Sequence, residues 1–330
     1  MKLPISYTLG LTRSCNSKCL TCNIWKTRVV DFKASEWKEV FKSLGHSPKW
    51  VTLSGGEPFL YPELFEVYLD LCETCKPKVV NIPTNGLLPT KVVRTVRNML
   101  ASSECRLIVN VSIDHSDPQK NDYIRGVAGH WQRAHRTFEE LRSLDSKRLT
   151  VGIHTVISRL NVEDIWEIAE HLMSLSPQQY ITEIAEERAE LETKGFGLTP
   201  TYEQYSKAIE YVIQRMKAQR WKGLSRITRA FRLQYYKLVQ EWLRTGSTGL
   251  KCRAGSRSCQ IMSDGQVWYC CILGPEKAIG NLKDYNLNFA KLWESSKRES
   301  PSCSCPLANA AYTNMLYSPK QLLSVARNLL

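Results

Sequence analysis

The chain has 330 residues, 43% of them hydrophobic and 23% charged, enough for a buried core and too ordinary for a disordered chain. Lysine and arginine outnumber aspartate and glutamate by 45 to 32, a formal net charge of +13 that favours an anionic ligand or surface and says nothing about fold. No run reaches the ~18 apolar residues of a membrane span and no secretory apolar stretch precedes Arg13, so the expected setting is cytoplasmic, without a membrane partner.

Short runs rich in β-branched residues predict strands at residues 5–11, 50–53, 78–82, 106–113, 149–157 and 180–184. Helical patterns lie at residues 35–44, 61–75, 90–100, 131–144, 162–175 and 202–220. Leu64, Val67, Tyr68, Leu71 and Cys75, for example, carry the spacing of a buried helical stripe. Repeated strand–helix units predict a parallel sheet with helices outside it. Six units are too few for the eight-unit barrel, so the expected fold is α/β, a partial (βα)6 TIM barrel over residues 1–220. Residues 225–243 read as a further helix with Ile227, Phe231, Tyr235, Leu238 and Trp242 on one face, and residues 221–249 are expected to form a basic helical linker. Residues 250–310 carry turn glycines and six cysteines, the mark of a small metal-stapled module, followed by a helical tail at residues 311–330.

Twelve cysteines in a reducing compartment point to metal binding rather than disulfides. Cys15, Cys19 and Cys22 are spaced C-x3-C-x2-C and follow the first strand, at the carboxyl edge where parallel α/β enzymes build their sites. Three thiolates on one tight loop hold three irons of a [4Fe–4S] cluster and leave the fourth open, whereas structural zinc requires four closed ligands. Cys72 and Cys75, at helical spacing, and Cys105, at a strand start, read as core.

The second strand runs into Ser54-Gly55-Gly56-Glu57-Pro58. Adjacent glycines let a ligand approach the backbone, and Glu57 is suited to accept from an ammonium group. The cysteine triplet followed by this Gly-Gly-Glu resembles the radical S-adenosylmethionine (radical SAM) superfamily over about residues 5–185. The resemblance implies that the open iron is chelated by the amino and carboxylate groups of S-adenosylmethionine (AdoMet). Gly55, Gly56 and Glu57 would contact the amino group. Reductive cleavage would then yield a 5′-deoxyadenosyl radical that abstracts hydrogen from substrate carbon. It also implies cofactor contacts from Asn85, Ser112, Asp114 and Arg125, in Thr84-Asn85-Gly86, Ser112-Ile113-Asp114 and Ile124-Arg125-Gly126. The plainer readings are a turn cap for Asn85, a strand-end turn for Ser112 and Asp114, and a surface salt bridge for Arg125. Thr21 and His115 depart from the residues common in the family without removing a ligand.

Cys252-x12-Gly265-x4-Cys270 reads as a hairpin with an Asp264-Gly265 turn that returns one cysteine beside the other. With Cys303-Ser304-Cys305 it resembles the extension called SPASM, or its shortened twitch form, although this closing pair is one residue tighter than usual. The resemblance implies one auxiliary [4Fe–4S] cluster on Cys252, Cys270, Cys303 and Cys305, for electron transfer or structure. Cys259 and Cys271 are the substitutes, and a zinc knuckle is the alternative.

Between Tyr211 and Gln240 there is no acid, while Arg215, Lys217, Arg220, Lys222, Arg226, Arg229, Arg232 and Lys237 accumulate. Interleaved with Trp221, Phe231, Tyr235 and Tyr236, they suit a phosphate-bearing small molecule, RNA or a solvated helical face. Glu183, Glu186 and Arg188 at the end of the sixth strand are the candidate catalytic residues, placed to orient substrate; an exposed helix start is the alternative. His154 and Tyr180 are weaker candidates. The expected function is a radical SAM enzyme acting on a small polar metabolite, served by an external electron donor such as flavodoxin or ferredoxin. The alternatives are a peptide- or protein-modifying maturase and an RNA-modifying or RNA-binding iron–sulfur protein. Met1–Pro4 leave no room for a winged-helix segment before the first strand, which weighs against leader-binding maturases.

Overall fold

Runs of β-branched residues alternating with amphipathic segments fold as the expected series of strands and helices. The computed structural model describes residues 2–219, 223–299 and 301–329. Strands β1 (Ser6–Thr12), β2 (Trp50–Gly55), β3 (Val79–Thr84), β4 (Arg106–Ser112), β5 (Leu149–Ile157) and β6 (Gln179–Ile184) form the barrel wall. Around them lie α1 (Ala34–Leu44), α2 (Leu64–Cys75), α3 (Pro89–Ser102), α4 (Pro118–Arg125), α5 (His130–Arg142), α6 (Ile165–Ser174) and α7 (Tyr202–Ala218). Then follow α8 (Gly223–Thr245), β7 (Ser258–Met262), β8 (Gln266–Trp268), β9 (Ala278–Asn281), α9 (Phe289–Ser295), α10 (Ala308–Leu316) and α11 (Pro319–Arg327).

The sheet order is β6-β5-β4-β3-β2-β1-β7-β8-β9. Strands β1 to β7 pair in parallel, and β8 and β9 return antiparallel. The second edge of β1 is therefore taken by β7, β6 remains an edge, and the barrel is partial. Strand alternation separates the two faces. Leu107, Val109 and Val111 of β4 join the core beneath the helices. On the inner face an amide ladder crosses strands: Gln179 Nε2 donates to Asn110 Oδ1 at 2.7 Å, and Asn110 Nδ2 to Asn81 Oδ1 at 2.8 Å.

The segment expected to act as a linker is instead a wall. Helix α8 buries Tyr235, Tyr236, Leu238 and Val239 in the core, and the Thr182 hydroxyl of edge strand β6 donates to Tyr236 at 2.8 Å. Helix α10 lies across the barrel opening: Asn309 Nδ2 donates to Thr8 Oγ1 of β1 at 3.2 Å, and Tyr312 sits 5.1 Å from the Arg232 guanidinium of α8. Among the described residues no helix is long and apolar enough to cross a membrane.

His130, at the start of α5, is wholly buried and accepts from Asn121 Nδ2 at 3.0 Å. Burial, helped by the Arg125 charge, pushes its pKa down from 6.5 to about 2. The unfolded chain therefore takes up this proton first, and the stability contributed by neutral His130 is lost as pH falls below about 6.5. The expected loss is about 1.4 kcal/mol per pH unit below that point. Urea unfolding of wild type and His130→Gln between pH 7.5 and 5.5 checks this: the variant should show the shallower pH dependence, and equal slopes would contradict it.

Candidate functional site

The loop carrying Cys15, Cys19 and Cys22 leaves β1 at the carboxyl edge and is gripped from two sides. From β2, Gly56 N–H donates to Thr12 O at 2.7 Å and Glu57 N–H to Ser14 O at 2.9 Å. A Cβ on Gly55 would stand 2.2 Å from Thr12 O, and one on Gly56 2.3 Å from Ser14 O. The close approach these glycines permit is thus made by the chain's own backbone. From α4, Arg125 O accepts from Lys18 N–H at 3.2 Å and Ile124 O from Leu20 N–H at 2.9 Å. A Cβ on Gly126 would reach Lys18 O at 2.1 Å. Helix α4 was missing from the sequence expectations, yet it forms half of this cradle.

Glu57 is 1% exposed, and its carboxylate accepts from Thr84 Oγ1 (2.9 Å), Asn85 N–H (2.7 Å) and Phe59 N–H (3.2 Å). It joins the ends of β2 and β3, and both its oxygens are engaged by the protein itself. Burial nevertheless leaves its pKa above the usual carboxylate range. Asn85 Nδ2 reaches Asn16 Oδ1 at 2.7 Å and Cys15 Sγ at 3.8 Å, so this residue touches the cysteine loop as well as capping its own turn. Arg125 is not on the surface: its Nη1 donates to the fully buried Asp114 at 3.1 Å. Burial works against the Arg125 charge, but Cys19, Asp114 and Cys15 outweigh it and hold its pKa above the ordinary value. Ser112 lies beside His154 in the β4–β5 register.

Burial pushes the Cys15 thiol up to about 11 and the Cys22 thiol up to about 12. Buried thiolates demand a compensating cation, and three of them on one loop suit iron. Among the described residues no three Cys, His, Asp or Glu side chains crowd one point as ligands of a single ion would. Thiolates bound to separate irons of a cluster need no such crowding.

The second cysteine group packs as one cluster. The β7–β8 hairpin pairs Gln260 with Trp268, and Cys252, Cys270 and Cys271 are buried together with Cys303 and Cys305 against them. Cys259 belongs to the main core, paired with Tyr7 across β1 and β7. Cys72, Cys75 and Cys105 pack in or against that core too.

Inside the barrel, Glu183 of β6 lies 3.7 Å from His154 Nε2 and 3.8 Å from Arg232 Nη1. Burial raises its pKa, but His154 and Arg232 prevail and pull it down to about 2. Arg188 donates to Glu186 at 2.8 Å in a largely buried pair. Tyr180 is core. The basic stretch is mostly occupied internally: Arg215 pairs with Glu170, while Arg226 and Arg229 donate to Leu329 O and Asn328 O at the end of α11. Tyr235 and Tyr236 are buried, and Phe231 packs against the core, so they offer no platform for a base. Arg220, Trp221 and Lys222 lie outside the described residues.

Residues 9–172 match the family model for the radical SAM superfamily, and residues 252–311 match that for the SPASM iron–sulfur cluster-binding domain. The chain belongs to the radical SAM superfamily and carries a SPASM domain. With those domains come AdoMet and [4Fe–4S] clusters as cofactors. The AdoMet-dependent heme synthase of Methanosarcina barkeri is 31% identical over 169 residues, 49% of this chain and 46% of that protein. The subtilosin biosynthesis protein AlbA of Bacillus subtilis is 23% identical over 350 aligned positions, covering 99% of this chain and 72% of AlbA. The crystal structure of Streptococcus suis SuiB bound to precursor peptide SuiA superposes with a TM-score of 0.65 at 19% identity, covering 97% of this chain and 74% of SuiB. This chain thus spans about half the length of the heme synthase and about three quarters of the other two.

Glu57→Ala removes an acceptor from three buried donors. At about 1–3 kcal/mol for each bond to a charged group, with partial relaxation, the radical SAM domain should lose roughly 3 kcal/mol of stability. Denaturant unfolding of the cluster-free chain measures it. A variant of unchanged stability that binds AdoMet weakly would place this carboxylate on the ligand instead.

Proposed function

We propose that this radical SAM protein modifies a peptide. The observation that carries the proposal is the alignment with AlbA, a bacteriocin biosynthesis protein, which runs through both cysteine sites and nearly the whole chain. The fold shared with SuiB, solved with its precursor peptide, is consistent with it. These relatives favour a peptide over the small polar metabolite expected from the sequence. The internal engagement of Arg226, Arg229 and Arg232 removes most of the support for a phosphate or RNA ligand.

In this reading Cys15, Cys19 and Cys22 would hold the first cluster, and Cys252, Cys270, Cys303 and Cys305 the auxiliary one. Served by an external donor of flavodoxin or ferredoxin type, the bound cluster and AdoMet would supply radical hydrogen-abstraction chemistry. The protein's own residues position and insulate. Gly55 and Gly56 fix the cysteine loop against β1, and Glu57 ties that junction to Asn85. The buried Asp114–Arg125 pair holds a cation near Cys15 and Cys19, where it offsets thiolate charge. Ser112 lines the same edge. Glu183, kept ionised by His154 and Arg232, faces the barrel interior and orients the substrate, with Glu186 and Arg188 on the following loop.

The test supplies the reconstituted protein with AdoMet, dithionite and candidate precursor peptides deuterated at their side chains. The expected result is 5′-deoxyadenosine carrying deuterium, together with an AdoMet-dependent mass change in the peptide. Deuterium transfer from a sugar or nucleoside, and none from the peptide, would contradict the proposal.

A further inference from the structure

Residues 185–193, the stretch after β6, are hydrogen-bonded to both cysteine sites. Toward the first, Asn23 N–H donates to Leu191 O and Asn23 Nδ2 to Glu192 O, each at 3.0 Å. The Thr27 hydroxyl donates to the Glu192 carboxylate at 2.5 Å. Toward the second, Glu190 N–H donates to Cys271 O at 3.3 Å, and Gln260 Nε2 to Glu190 Oε1 at 2.5 Å. Ala189 fits so closely under Gly274 that a Cβ there would stand 2.7 Å from its methyl group.

At the centre of this bridge is the Glu186–Arg188 pair, with side chains only 5% and 18% exposed. The Glu190–Cys271 bond and the Ala189–Gly274 contact set this pair beside the segment that carries Cys270. The pair is not optimised as a stabilising device. Among the described residues Glu186 Oε1 and Arg188 Nε are buried without a hydrogen-bond partner, and a buried ion pair left partly unsatisfied contributes little to stability after desolvation. Fixed charges in such a place act strongly on any neighbouring group whose own charge changes, because water screens them weakly.

We propose that the Glu186–Arg188 pair sets the reduction potential of the auxiliary cluster. The Arg188 cation favours the more negative, reduced state, and the Glu186 carboxylate opposes it. This rests on the auxiliary cluster proposed for Cys252, Cys270, Cys303 and Cys305. Deleting either charge should then move the potential, and the two deletions should move it in opposite directions. A merely structural pair has no reason to respond with opposite signs.

The experiment is an EPR-monitored dithionite titration of the fully reconstituted protein, with iron content measured on every sample. Arg188→Gln should make the auxiliary cluster about tenfold harder to reduce, a fall of about 59 mV for one electron. Arg188→Lys, which keeps the charge, should stay near wild type, and Glu186→Gln should raise the potential. If Arg188→Gln loses the auxiliary iron, Glu186→Gln and Arg188→Lys still decide. Full iron content with an unmoved potential in Glu186→Gln, or shifts of the same sign in both deletions, overturns the proposal. A wild type that binds iron only at Cys15, Cys19 and Cys22 overturns the auxiliary-cluster reading itself, and is distinguished from the other failures by its iron content.

Discussion

Strand β1 is hydrogen-bonded along both edges, to β2 on one side and β7 on the other, and the rest of the structure depends on that sharing. Gly10 faces Ser54 in one register and Met262 in the other. The cysteine loop, the Gly-Gly-Glu loop and the SPASM hairpin therefore leave three adjacent strands of one sheet. Neither cysteine site can shift relative to the other without breaking parallel ladder bonds. The same sharing keeps the barrel from closing, because β7 occupies the edge a closing strand would need. The gap is filled by α8 and α10, with Arg232 reaching from α8 to Glu183 at the open edge.

A second regularity is electrostatic. Each cysteine site has a buried arginine–carboxylate pair beside it, Arg125 with Asp114 at the first and Arg188 with Glu186 at the second. Burial opposes ionisation of the thiols, and a guanidinium, which keeps its charge when desolvated, is the side chain suited to stand near them. Its carboxylate partner limits the cost of burying that charge and fixes its direction.

The barrel was legible because its strands are compact β-branched runs and its outer helices are amphipathic. Observed and expected strand limits differ by at most two residues, as at β3, Val79–Thr84 against residues 78–82. Helix α4 escaped because Pro118–Arg125 is short and mostly polar; its place is set by the Asp117 cap and by contacts with the cysteine loop far earlier in the chain. The role of α8 was obscured by its basic composition. Its apolar stripe was visible, but nothing local shows that Arg226 and Arg229 meet carbonyls just after α11, 103 and 99 residues later. Gly55 and Gly56 were legible as a place of close approach; that the approaching backbone is Thr12–Ser14 follows only from the β1–β2 pairing. The cysteines themselves were the clearest signal, since their spacing carries chemistry that secondary structure does not.

On the proposed reading, one sheet holds two separate iron–sulfur sites. Iron and zinc quantification with Mössbauer spectroscopy tests it on wild type, on Cys15→Ala/Cys19→Ala/Cys22→Ala and on Cys252→Ala/Cys270→Ala. About eight irons are expected in wild type and about four in each variant, all as [4Fe–4S]. Zinc at either site, or loss of all iron in the first variant, would contradict it.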